Sequence, residues 1–329
     1  MCGDTRPRVR HTSNVFDMRL GALGFRVIIA AVDWESRMRN SERCAAGGAT
    51  KANGNCTNPD PADNLPVQCV GPWVKEKHHY LGDYIEKTSG VRRKYLTPTG
   101  GRRYAGGAAF IDLFAGPGRV RIFSSSGPII DGSPLIALGH AAAPFTRVIL
   151  CERDPENVTA LRARTAKYGK QVSVVPGNCH AKIDEIIALV PRYGLNLALI
   201  DPYNLGELYF PTLAKLAQFA RMDLIINFPT MDGKRNYAHG APEKLGHATG
   251  STSIEALIRT PKDVVKGIPE LRASLKRLGY TGYHSLAAPI RNTKNGLLYH
   301  LVHASKAGKG DAIWSNVAKQ TGSGQISLL

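Results

Sequence analysis

An apolar run at residues 108–114 breaks into the loop Asp112-Leu113-Phe114-Ala115-Gly116-Pro117-Gly118, and no other feature of the chain limits its fold as strongly. Glycine has no Cβ, so backbone N–H groups in such a loop can approach a ligand closely where a strand turns into a helix. Further apolar runs at 146–151, 172–175, 195–200 and 222–228 alternate with helical spacing at 134–140, 155–167, 183–190 and 213–220. That alternation predicts a parallel sheet covered by helices on both faces. Two last runs, 283–290 and 297–304, flank Asn292-Thr293-Lys294-Asn295-Gly296 and predict an antiparallel hairpin. The expected fold is therefore α/β and Rossmann-like, a mostly parallel seven-stranded sheet with a C-terminal antiparallel hairpin.

Outside this core the signals are weaker. Residues 1–65 mix Arg, Gly, Asn and Pro with little periodicity and are expected to be unstructured, or an over-extended start with Met18 and Met38 as alternatives. Residues 66–107 read as a helical, basic extension. Trp73, Val74, Tyr80, Leu81, Tyr84 and Ile85 fall at helical spacing, and Arg92-Arg93-Lys94 leads into a linker at 97–101. The catalytic domain is expected over 108–329. Within it, residues 229–265 break the rhythm with Gly, Pro, His and Thr and predict an insertion or mobile loop over the site, before a helix at 269–278.

The formal charge of +17 is unevenly placed. Residues 1–103 carry 17 Lys/Arg against 10 Asp/Glu, residues 104–231 carry 12 against 10, and residues 232–329 carry 14 against 6. A nearly neutral core between basic flanks suits a cofactor pocket beside surfaces that meet phosphates, although a basic surface also serves solubility. Nucleic acid is the expected partner.

The six cysteines, Cys2, Cys44, Cys56, Cys69, Cys151 and Cys179, contain no CxxC pair and are expected to be reduced thiols in a cytoplasmic protein. Spacings of 12 and 13 between Cys44, Cys56 and Cys69 do not resemble a zinc site, and the ten histidines show no HExxH. No metal is expected. No apolar stretch reaches the roughly eighteen residues of a membrane span.

Several strand ends carry residues suited to a site. A dinucleotide loop would place a third glycine where this chain has Arg121, and Asp112 would repel a pyrophosphate. An acid there suits the cationic amino end of a methionine moiety, so S-adenosylmethionine is the expected cofactor, held by Asp112, Phe114, Ala115, Gly116 and Gly118. Glu152 closes the second strand and is placed to accept hydrogen bonds from ribose hydroxyls. Asn178 and Cys179 follow the third strand, where an amide can meet an adenine edge. Asp201-Pro202-Tyr203 follows the fourth strand: a carboxylate to take a proton or hydrogen bond from an attacking amine, and an aromatic to stack on a base. Lys234 and Arg235 are candidates to bind substrate phosphate or carboxylate.

With these residues in hand, the chain resembles the three-Cys-motif partner family. The resemblance rests on Phe110-Ile111-Asp112-Leu113-Phe114-Ala115-Gly116-Pro117-Gly118, Gly132-Ser133-Pro134-Leu135, Leu199-Ile200-Asp201-Pro202-Tyr203 and Asp223-Leu224-Ile225-Ile226-Asn227-Phe228-Pro229. It runs from about Trp73 to Trp314 and includes the closing hairpin. It implies a class I methyltransferase-like protein that works beside a partner bearing a three-cysteine motif similar to radical-SAM enzymes. The chain departs from the amino-methyltransferase pattern at Tyr203, which stands where a second proline is usual.

Three functions follow as expectations. The first is methyl transfer from S-adenosylmethionine to a nitrogen of a nucleic-acid base. A second is a non-catalytic nucleotide-binding subunit of the three-cysteine protein. A third, a nuclease or repair factor, calls for clustered carboxylates around a metal, which the sequence does not show.

Overall fold

The computed structural model describes residues 50–96, 106–122, 127–140, 142–281 and 287–319. The alternative starts, Cys2, Cys44, the linker at 97–101 and the first part of the run at 283–290 lie outside these residues.

Ten strands are described: β1 (Gln68–Val70), β2 (Ala108–Asp112), β3 (Arg119–Ile122), β4 (Ile129–Asp131), β5 (Arg147–Glu152), β6 (Val172–Pro176), β7 (Leu195–Ile200), β8 (Met222–Phe228), β9 (Ala288–Arg291) and β10 (Leu297–Ala304). Seven of them form one sheet in the order β6-β5-β2-β7-β8-β10-β9. The first five in that order run parallel, with Phe110 opposite both Val148 and Leu197. β10 runs against β8, with Leu301 opposite Asn227, and pairs antiparallel with β9. The protein has a Rossmann-like α/β fold with the expected antiparallel hairpin. Strands buried on both faces read as largely apolar runs, which is why 195–200 and 222–228 are sharp in the sequence despite Asn196, Asp223 and Asn227.

The helices are α1 (Val74–Lys87), α2 (Ser89–Leu96), α3 (Ser133–Gly139), α4 (Pro155–Thr165), α5 (Ile183–Ala188), α6 (Phe210–Leu216), α7 (Thr230–Arg235), α8 (Ala241–Thr249), α9 (Ile254–Leu257), α10 (Gly267–Arg277) and α11 (Gly308–Ala318). They bury two apolar layers, one on each face of the sheet. One layer gathers Tyr84, Phe110, Leu150, Leu199 and Trp314, and the other gathers Ile149, Leu213, Ile226, Leu245 and Leu271. No helix among the described residues is long and apolar enough to cross a membrane.

Four expectations are corrected. The glycine loop does not enter a helix: it leads into β3, whose period-two pattern Arg-Val-Arg-Ile pairs with β1 and β4 in a second, three-stranded sheet. Arg121, at the absent third glycine, donates to the carbonyls of Asn58 and Pro59 at 3.2 and 2.8 Å. The segment 229–265 is not a loop. It folds as α7, α8 and α9 with short 3₁₀ turns, and buries Leu245, Ala248, Ile254 and Val264 in the core. Arg92, one of the charges of the basic flank expected beside surfaces that meet phosphates, is buried against the Phe145 ring and donates to the carbonyls of Ala143 and Ile85 at 2.6 and 3.0 Å, and burial lowers its pKa to about 10.

The fourth concerns residues 50–65 and the cysteines. This segment folds onto the core through polar pairs: Asn55 with Asn157 at 2.7 Å, Asp63 with Arg164 at 2.8 Å, and Asp60 with Arg119. Antiparallel bridges, Thr50 to Cys56 and Asn55 to Gln68, bring Cys56 and Cys69 within a Cα separation of 5.2 Å, and they form a disulfide. Reduced thiols are found instead at Cys151 and Cys179, which are buried. Closing a loop of this length removes unfolded-state entropy worth about 3 kcal/mol. A Cys56→Ser, Cys69→Ser variant is expected to lose about that much stability in urea denaturation, and non-reducing mass spectrometry checks the pairing directly.

Candidate functional site

The carboxyl ends of β2 and β7 flank the point where strand order reverses, the place where open α/β sheets bind ligands. The glycine loop lies over that edge. Gly116 and Gly118 hold φ of +61° and +88°, a left-handed backbone that side chains with a Cβ adopt at a cost. A small, partly open cavity of about 30 Å³ lies between this loop, β1 and α1. Its lining includes Phe114, Ala115, Gly118, Ser133, Lys77 and Asp201.

Asp112 lies fully buried at the end of β2, where its carboxylate accepts from the Phe114 N–H at 3.1 Å and the Ser133 hydroxyl at 2.6 Å. Burial pushes its pKa up to about 7; the two hydrogen bonds pull it down, Asp201 raises it and Lys77 lowers it. Asp201 ends β7. It is ion-paired with Lys77 and accepts from the Asn227 amide at 2.9 Å, Asn227 belonging to β8.

The remaining candidates are placed differently. Each Glu152 oxygen accepts one backbone N–H, from Gly116 at 2.8 Å and Asp154 at 2.7 Å, so this acid also ties the glycine loop to β5. Asn178 is exposed, and its Oδ1 accepts from the N–H groups of His180 and Ala181 at 2.8 and 3.3 Å. Only its NH₂ is left to offer an adenine edge. Cys179 is buried, which pushes its thiol up to about 12. Pro202 is buried, whereas Tyr203 is 76% exposed. Lys234 and Arg235 form the last turn of α7 and are not among the cavity-lining residues.

Sequence reading missed Lys77 and His78. Both lie on α1 between Val74 and Leu81, on the stripe that continues to Tyr84 and Ile85. A lysine on an apolar stripe is the signal, because a buried ammonium needs a partner. His78 lines the same cavity; its Nδ1 is buried with no hydrogen-bond partner among the described residues, and burial drops its pKa to about 3. The other end of α1 is fixed by a buried network. The Tyr84 hydroxyl donates to Asp223 at 2.8 Å and lies 3.0 Å from His303 Nε2, and the His303 ring stacks on Trp314 of α11 with centroids 5.1 Å apart. That anchorage sets where Lys77 meets Asp201.

Among the described residues no group of three or more His, Cys, Asp or Glu is arranged to hold a metal ion. No family model matches the chain, and no curated protein matches it in sequence. Among solved structures it is similar to M. jannaschii TYW2 in complex with AdoMet, at 13% identity over 68% of this chain and 74% of that one, with a TM-score of 0.34. It is similar to the methyltransferase domain of bacterial CtHen1-C at 15% identity over 71% and 100%, with a TM-score of 0.37. A third, cofactor-bound Rv0187 from MTB, shares 15% identity over 74% and 85%, with a TM-score of 0.38. The fold is carried by the strand order and register themselves, which give a Rossmann-like sheet closed by an antiparallel hairpin.

Proposed function

We propose that the protein is an S-adenosylmethionine-dependent methyltransferase acting on a nitrogen of a nucleic-acid base, and that it works as the three-Cys-motif partner its sequence resembles. The observation that supports this reading is one cavity, at the strand-order reversal, that joins the glycine loop and Ser133, the hydrogen-bond partner of Asp112, to Asp201. The cavity suits the amino-acid end of the cofactor: Asp112, buried directly behind the lining residue Ser133, favours an ammonium there, and His78 Nδ1 is a buried polar atom with no hydrogen-bond partner among the described residues. Glu152 keeps acceptor capacity for ribose hydroxyls, since each carboxylate oxygen has two lone pairs and has used one. S-Adenosylmethionine supplies an electrophilic methyl group. The chain's own work is positioning, exclusion of water and acceptance of a hydrogen bond from the acceptor amine at Asp201, with Asn227 fixing that carboxylate. The exposed Tyr203 offers a face on which a base can stack.

A second reading has one observation in its favour. Asp201 is covered by Lys77 in the free protein, as a non-catalytic subunit would tolerate. Labelled methyl transfer to mixed cellular DNA and RNA separates the two. Label in nucleic acid with the wild type, reduced at least about a hundredfold in Asp201→Ala, supports catalysis. Cofactor binding with no transfer from either protein favours the subunit.

A further inference from the structure

The cavity is lined by two charges of opposite sign, Lys77 and Asp201. Lys77 and Asp201 form an ion pair in which both side chains are only 17% exposed. Such a pair is costly to desolvate, and hydrophobic residues of similar size would hold a helix against a sheet as well. Two buried polar atoms beside it, His78 Nδ1 and Asn227 Oδ1, have no hydrogen-bond partner among the described residues. The polar groups of this cavity are therefore not fully satisfied by one another. The lysine also stands on a flexible four-carbon stem, and an ammonium, unlike a guanidinium, has no fixed fork that ties it to one geometry.

An α-amino acid end carries an ammonium and a carboxylate: Lys77 in the cavity lining complements the second, and Asp112, behind the lining residue Ser133, supplies negative charge for the first. Resting on the cofactor reading above, we propose that Lys77 binds the carboxylate of the cofactor's amino-acid end, and that moving onto this anion takes its ammonium off Asp201 and frees that carboxylate for the acceptor amine. Lys77 is then a positioning residue for the reaction and a binding residue for the cofactor. Asp201 remains held by the Asn227 amide when the lysine leaves. Cofactor binding and acceptor readiness become linked through one side chain, so the acceptor meets an available carboxylate only when methyl donor is present.

The test is calorimetric titration of the full chain with S-adenosylmethionine and with its decarboxylated form, which keeps the ammonium and lacks the carboxylate. Lys77→Met is expected to weaken S-adenosylmethionine by roughly tenfold or more and to leave the decarboxylated ligand unchanged or tighter. Asp201→Asn, which removes the competing partner, is expected to tighten S-adenosylmethionine several-fold and not the decarboxylated form. Circular dichroism of each variant checks that α1 is intact. Equal weakening of both ligands by Lys77→Met would overturn the carboxylate assignment. Equal effects of Asp201→Asn on both would overturn the exchange. If the wild type binds neither ligand, the cofactor reading itself fails; if it binds both equally well, only the role of Lys77 does.

Discussion

Trp314→Ala is expected to cost about 3–5 kcal/mol of stability, the range for deleting a large aromatic from a packed core. Trp314 is fully buried, stacks on His303 and meets Tyr84 edge-on with centroids 6.0 Å apart. Tyr84 in turn donates to Asp223, so the indole supports the network that fixes α1 to β8 and β10. The loss therefore reaches beyond a cavity: α1 carries Lys77 and His78 into the site. Urea denaturation measures the stability change, and a midpoint shift worth less than about 1 kcal/mol would contradict the role given to this cluster.

Asp112→Asn is expected to have opposite effects on stability and on binding. The folded pKa, about 7, lies above the ordinary carboxyl value of 3.8, so the folded protein holds this proton more tightly than the unfolded chain. The stabilisation is complete below about pH 4 and is lost as pH rises through about 7, so the wild type should lose stability across that window. Asparagine carries no charge, keeps the bond from the Phe114 N–H to its Oδ1, and can donate from its NH₂ to the Ser133 hydroxyl oxygen. The free variant should accordingly be more stable than wild type at pH 8, by roughly 2–4 kcal/mol from the size of the shift. Cofactor binding should fall roughly ten- to a hundredfold, because a charge-assisted bond to the ammonium is gone. For the wild type, affinity should rise about tenfold per pH unit below pH 7 and then level off. A variant no more stable than wild type at pH 8, with a flat wild-type stability profile from pH 4 to 7, would contradict the assigned ionisation.

How much of this was legible in the sequence depends on the range of the interactions involved. Runs such as 195–200 and 222–228 announce themselves because all but one residue of each of these central parallel strands is buried. The placement of the acids Asp112, Glu152 and Asp201 at the carboxyl edge of the sheet is legible as well, since each stands at or directly after the end of an apolar run. Segments 50–65 and 229–265 were misread because their order comes from partners far away in the chain. Asn55 finds Asn157 and Asp63 finds Arg164 about a hundred residues on, and turn-forming composition conceals such pairing. In α8, Ala241, Leu245 and Ala248 do keep helical spacing, but the glycines and histidines around them mask it. The disulfide escaped notice because spacing along the chain says nothing of the bridges that set Cys56 beside Cys69. Lys77 is the most instructive omission. A charge within an amphipathic helix is ordinarily read as solvated, and only its position on the apolar stripe marks it as buried.

The cavity beneath the glycine loop is proposed to be a cofactor pocket for S-adenosylmethionine. Calorimetric titration of the wild-type protein at pH 8 with this ligand tests it most directly. Saturable one-site binding that weakens at least about tenfold in Asp112→Ala is the predicted result. No heat of binding from the wild type, or equal affinities in the two proteins, would contradict it.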